Sequence, residues 1–162
     1  MSQPRYTESK LAGDHSTLAW VNLHFDRVLN WVPGGDKSTI SIKGEGIGMT
    51  RDINLVTQGY VQHELIDFDN NKKMFSYKLT DGKPVGMEHY TVVASVTEID
   101  ENNCKIRWSG KMTSDKRVNE NDVGEALKTA LENMVTGTIA LLKNEDPIFV
   151  EQPLEDWQYK NS

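Results

Sequence analysis

Arg51, His63 and Tyr90 are the three side chains of this sequence best suited to act together on a small molecule. In "GEGIGMTRDINL", residues 44–55, Arg51 shares its parity with Met49, Ile53 and Leu55, while Thr50, Asp52 and Asn54 take the other. In a strand with one buried face the guanidinium then points inward. His63 sits in the same way with Val61 and Leu65 in "YVQHELIDF", and Tyr90 with Val92, Ala94 and Val96 in "HYTVVASVTEI". An inward arginine needs a carboxylate, a carbonyl cluster, water or an anionic ligand, because an unpaired buried charge is strongly unfavourable. As a trio, Arg51 can stabilise an enolate or carboxylate, His63 can move a proton near neutrality, and Tyr90 can donate one. The same positions also suit a salt-bridged arginine and a satisfied core histidine, and the sequence leaves both pairs of readings open.

The elements that must position these residues follow from the same alternation. Tyr77 joins Phe75 and Leu79 in "KMFSYKL", and Trp108 and Met112 join Ile106 and Gly110 in "CKIRWSGKM", where Lys105, Arg107, Ser109 and Lys111 face the other way. The tyrosines and Trp108 offer large apolar walls with polar tips. Met49, Met87, Met112 and Met134 suit an adaptable apolar surface. A short strand is expected at Tyr6–Leu11, followed by helix in "DHSTLAWVNLHFDRVLNWVPGG". Asp14 or Ser16 caps that helix, a break near His24–Asp26 splits it in two, and Pro33 with Gly34 and Gly35 stops it. Turn residues at 57–59, 69–71, 81–84 and 101–103 separate the strands that follow.

The chain then reads as one long helix. Asn119 or Asn121 caps it, and Val123, Leu127, Ala130, Leu131, Met134, Thr138, Leu141 and Leu142 form its apolar stripe. Asn144 and Pro147 end it. The predicted fold class is α+β: a seven-stranded antiparallel curved sheet wrapped around a long C-terminal helix, with two short helices after the first strand. One domain spans residues 1–162, its core at about 6–143 and a tail at 147–162.

Several function classes are disfavoured. The net charge of −6 argues against a nucleic-acid partner. Gly44, Gly46 and Gly48 precede a period-two run instead of a helix, and no Gly-Lys-Ser/Thr follows, so they mark a hairpin or bulge and not a phosphate cradle. The single cysteine, Cys104, excludes an intrachain disulfide and fits a reducing compartment. His15, His24, His63 and His89 lack paired ligand spacing and no C-x-x-C is present, so neither a metal nor a cofactor is expected. "MSQPRYTESK" has no apolar core of a secretory signal, and no apolar run approaches the ~20 residues of a membrane span. A cytoplasmic protein without a membrane span is expected, as a monomer or homodimer.

The order of "LNWVP", "GEGIGMTRDINL", His63-x-Leu65 with Asp69, Tyr77, Tyr90 and "IRWSGKM" resembles the START-like helix-grip superfamily (SRPBCC), over about residues 15–143. That group includes pollen-allergen-type proteins, polyketide cyclase/dehydrase-type proteins and the abscisic acid receptors. The resemblance implies a cavity for an apolar or amphipathic small molecule but no single chemistry. Many relatives carry glutamate where this chain has His63, so a role borrowed from that glutamate does not transfer. The receptors' gate and latch signatures are missing at "VTQGYVQ" and "DGKPVGM".

Two functions are therefore expected in parallel. One is binding of a small hydrophobic or amphipathic molecule, lined by Met49, Arg51, Ile53, Leu55, His63, Tyr77, Met87, Tyr90, Val92, Trp108, Met112, Leu131 and Met134. The other is a cofactor-free cyclase, dehydratase or lyase acting on a polyketide-like or other carbonyl compound, with Arg51, His63 and Tyr90 as its catalytic residues. A domain that binds only proteins would instead fill its interior with side chains.

Overall fold

A computed structural model describes residues 5–12, 16–56, 59–100, 103–114 and 119–150. Each alternating segment forms a strand: β1 (Arg5–Ala12), β2 (Thr39–Lys43), β3 (Thr50–Leu55), β4 (Gly59–Asp69), β5 (Met74–Asp81), β6 (Met87–Asp100) and β7 (Asn103–Ser114). They build one open antiparallel sheet in the order β1-β7-β6-β5-β4-β3-β2. The first strand thus closes one edge by pairing with the last, and successive hairpins supply the rest. The three glycines of residues 44–48 all take positive φ in the β2–β3 connection, a conformation open to glycine at little cost. Gly48 N–H also reaches the Leu65 carbonyl at 2.8 Å, which ties that loop to β4.

Register stacks the alternating residues into one buried face. Arg51 pairs with His63, Leu65 with Tyr77, Tyr77 with Val92, Tyr90 with Met112, and Ala94 with Trp108. All of these side chains are buried, whereas Arg107 and Lys111 are exposed and Gln62 and Glu64 half-buried. Because side-chain direction has period two, a slip of one residue anywhere would have exchanged the two sets.

Helices cover this face in two pieces. α1 (Ser16–Leu23) ends where His24 takes an extended conformation, and the chain resumes as a 3-10 helix at Phe25–Asn30. Of the two expected caps of α1, Asp14 lies outside the described residues and Ser16 is the first helical residue. The long helix α2 (Glu120–Lys143) is capped by Asn119, whose Oδ1 accepts from Asn121 N–H at 2.9 Å and Asp122 N–H at 3.2 Å. Asn144 ends it in the left-handed conformation. No helix among the described residues is long and apolar enough to cross a membrane.

α2 lies chiefly over β1 and β7, not along the middle of the sheet. It packs closely on Gly110, where a Cβ would stand 3.3 Å from a Leu127 methyl. The centre of the sheet is covered by the N-terminal helical pair. Trp20 packs against Phe75, Phe25 against Tyr77, and Trp31 against Trp108.

The two helical layers meet at Gly137, where a Cβ would fall 1.7 Å from the Trp31 carbonyl oxygen. Alanine there gains up to about 1 kcal/mol of helix propensity but forces the layers apart. Gly137→Ala is therefore expected to lower stability by about 1–3 kcal/mol net in urea unfolding. An unchanged or raised midpoint would show that the helices do not touch there.

Candidate functional site

The inward arginine is held without a carboxylate. Arg51 is 1% exposed. Its Nε–H donates to His63 Nδ1 at 3.0 Å, and Nη1–H donates to the Phe25 carbonyl at 2.5 Å. The guanidinium carbon sits 4.2 Å from the centre of the Phe25 ring and 4.5 Å from that of Tyr77. These contacts are cation–π interactions, strongest where water is excluded. Among the described residues no carboxylate forms an ion pair with Arg51, so the salt-bridge reading gives way to a carbonyl, an imidazole and two aromatic faces. Burial draws its pKa down, opposed by Tyr77 and Tyr90, but an arginine stays protonated in proteins. The interior thus holds one positive charge with no fixed negative partner.

That charge fixes the chemistry of its neighbours. An arginine N–H can only donate, so His63 Nδ1 must be the unprotonated, accepting nitrogen. Burial, and then the Coulombic effect of Arg51, hold the His63 pKa well below its usual 6.5, so the ring is neutral. A neutral ring with a bare Nδ1 carries its proton on Nε2. Nε2 lies 2.5 Å from the Tyr90 hydroxyl oxygen, and the hydrogen bond therefore runs from His63 to Tyr90. The Tyr90 O–H is left to point elsewhere, with no acceptor among the described residues. Burial keeps that phenol protonated by pushing its pKa well above 10, and it raises that of Tyr77 too, against the pull of Arg51. His63 also packs against both rings, with centroids 4.6 Å from Tyr77 and 5.5 Å from Tyr90.

The structure gathers Arg51, His63, Tyr77 and Tyr90 into one contacting group. Ile53, Val92, Met87, Met112 and Leu131 are buried in the surrounding core, while Met49, Leu55 and Met134 are half-buried against its margin. Trp108 stands apart, between Trp31 and Phe75, its indole Nε1 buried without a partner among the described residues. Phe25, which supplies both a ring and a carbonyl to Arg51, was not among the expected residues. The break expected near His24–Asp26 is the sequence signal that lies beside it. Tyr90 and Met112 also border an opening of about 260 Å3 where β5 and β6 part.

Comparison with solved structures shows the fold and no more. The chain is similar to an uncharacterised protein from Bacillus thuringiensis (TM-score 0.72, 18% identity, 86% of this chain and 99% of that one). It is also similar to a protein from Nitrosospira multiformis (TM-score 0.68, 18% identity, 85% and 94%). A third similar structure is norcoclaurine synthase from Thalictrum flavum, solved with dopamine and hydroxybenzaldehyde (TM-score 0.66, 15% identity, 90% and 89%). No protein-family model and no curated sequence matches the chain. The architecture is thus of the helix-grip type, an antiparallel sheet with a C-terminal helix.

The depressed His63 pKa makes stability depend on pH in a definite direction. Below about 6.5 an unfolded His63 binds a proton that the folded one refuses, so stability must fall as pH falls from there towards the lowered folded pKa. His63 is expected to contribute up to about 1.4 kcal/mol per pH unit in that window. His24, also lowered by burial, adds to the same trend. Urea unfolding of the protein and of His63→Gln between pH 5 and 7 checks this (a range set by ordinary histidine titration). The variant should show the shallower slope, and identical slopes would mean that His63 is not held neutral.

Proposed function

We propose that the protein binds a small apolar or amphipathic molecule carrying a carbonyl, carboxylate or phenolic oxygen, and that Tyr90 donates a hydrogen bond to that oxygen. The observation that carries this reading is the direction of the Arg51–His63–Tyr90 chain, which leaves a phenol proton uncommitted inside an otherwise apolar face. A buried donor with no acceptor is unfavourable by itself, and an acceptor on a ligand removes that cost. The unbalanced charge of Arg51 acts in the same sense, since it favours negative charge at the far end of the relay. The aromatic and aliphatic residues around the group would supply most of the affinity. Burying ~200 Å2 of apolar ligand surface is worth roughly 5 kcal/mol before the costs of association.

A second reading has support from the same group. An uncommitted proton donor backed by a buried cation suits the oxyanion that develops when a carbonyl compound enolises, cyclises or condenses. Tyr90 would protonate or hydrogen-bond the oxygen, and Arg51 would act through His63. His63 itself would relay charge without abstracting a proton, because its lone pair is occupied by Arg51. The similar fold of norcoclaurine synthase, solved with an aldehyde, makes aromatic carbonyl compounds a sensible first panel for both readings.

Two neutral naphthalene fluorophores of similar size test the proposal. N-phenyl-1-naphthylamine has no carbonyl, whereas 6-propionyl-2-dimethylaminonaphthalene has one. Tyr90→Phe should weaken the carbonyl probe about 2- to 12-fold, the value of one neutral hydrogen bond, and leave the other unchanged. Equal effects on both probes, or none on either, would contradict the assignment of Tyr90.

A further inference from the structure

The sheet does not stay closed between β5 and β6. Their pairing ends at Lys78 with Thr91, although β5 continues to Asp81 and β6 begins at Met87. Beyond that point Leu79 stays with His63 on β4, and Tyr90 and His89 stay with Met112 and Thr113 on β7. The reason lies in the connection between the two strands. Its short 3-10 turn, Pro84–Gly86, packs against β4 and α2, with Pro84 and Gly86 buried. The chain is therefore tucked beneath the sheet there, and the two strand ends diverge around it.

Through this parting, inner-face residues border the outer surface. Leu79, Tyr90 and Met112 form an apolar floor to the opening of about 260 Å3, and Lys78, Thr91 and Lys111 stand around it, with His89 and Thr113 beside them. Lys78, Thr91 and Lys111 lie in one cross-strand row, so the two lysines stand on either side of the threonine. Among the described residues no carboxylate lines the opening. Glu64 neighbours Lys78 across β4, yet neither Lys78 nor Lys111 forms an ion pair among the described residues. In a chain with net charge −6, two unpaired lysines border this apolar opening, while Asp81 and Glu88 line the neighbouring one that shares Lys78, Leu79 and His89.

We propose that this parting of β5 and β6 is a binding site for a small organic anion, whose apolar body lies on Leu79, Tyr90 and Met112 and whose carboxylate or similar group is held by Lys78, Lys111 and Thr91. It rests on the reading of Tyr90 as a ligand-contacting residue and adds the charge of the ligand. The volume lies just below the range of drug-sized pockets, which sets the ligand as small. Lysine ammonium groups on flexible stems suit carboxylates without demanding one geometry.

The experiment compares two probes with the same aromatic body. 8-Anilinonaphthalene-1-sulfonate carries an anion, and N-phenyl-1-naphthylamine carries none. Fluorescence titrations at low salt should show saturable binding of both, with the sulfonate tighter by about three- to tenfold. Lys78→Gln/Lys111→Gln should abolish that preference and leave the neutral probe unchanged. Lys128→Gln/Lys143→Gln, with the same net charge but both changes on α2, should keep it. If the neutral probe binds and the sulfonate gains nothing, or if its gain survives in Lys78→Gln/Lys111→Gln, the anion site is overturned while ligand binding stands. If neither probe binds saturably, both fall together.

Discussion

A single buried guanidinium without a carboxylate organises this structure. Placing Arg51 on the dry face of β3 removes it from water, and the chain answers with a carbonyl from Phe25, a lone pair from His63 and two aromatic faces. Each of those answers constrains something else. The Phe25 carbonyl ties the 3-10 helix to the sheet. The His63 lone pair forces that ring into one neutral tautomer, and the tautomer decides which way the Tyr90 proton points. A carboxylate in place of these partners would have neutralised the cluster and left it inert. Without one, the interior keeps a positive charge that a ligand oxygen can share.

The fold serves this group through strand order. Arg51, His63, Tyr77 and Tyr90 lie on β3, β4, β5 and β6, four consecutive strands of the sheet. Cross-strand neighbours on one face stand close enough to touch, which sets Arg51 beside His63, and Tyr90 meets His63 from β6 where β5 and β6 no longer pair. Register irregularities in β4, at Gln62/His63 and Leu65/Asp67, adjust its facing against β5. Irregularities of this kind re-aim side chains locally. α2 contributes elsewhere: it closes β1 and β7 and leaves the relay to the N-terminal helices. The division of labour separates the part that stabilises the sheet from the part that carries polar groups.

Much of this was legible in the residues because period two is an unambiguous signal. The inner face of β3 to β7 could be read from Arg51, His63, Tyr77, Tyr90 and Trp108 without knowing which strand paired with which. A helix cap at Asn119 or Asn121 and a break near His24–Asp26 were legible as local chemistry, and the structure takes Asn119 for the cap. What could not be read was whatever depends on a backbone group meeting a distant side chain. The Phe25 carbonyl bound by Arg51 is one case, and Asn133, whose amide makes two hydrogen bonds to the Val150 backbone, is another. The close approach of α2 to the Trp31 carbonyl at Gly137 is a third, since it depends on a bare backbone and not on the apolar stripe of the helix. The parting of β5 and β6 is invisible for the same reason, since it arises from where the Pro84–Gly86 turn packs. Lys78 and Lys111 read in sequence as ordinary outward residues.

The tautomer of His63 tests this account most directly. Nitrogen NMR of protein labelled with 15N-histidine distinguishes a protonated ring nitrogen from a bare one at each position. His63 is expected to be neutral from about pH 5 to 8, the range in which free histidine would titrate, with its proton on Nε2 and Nδ1 bare. A proton on Nδ1, or an imidazolium at neutral pH, would contradict it, because Arg51 could then no longer donate to that ring and Tyr90 would have no reason to hold its proton for a ligand.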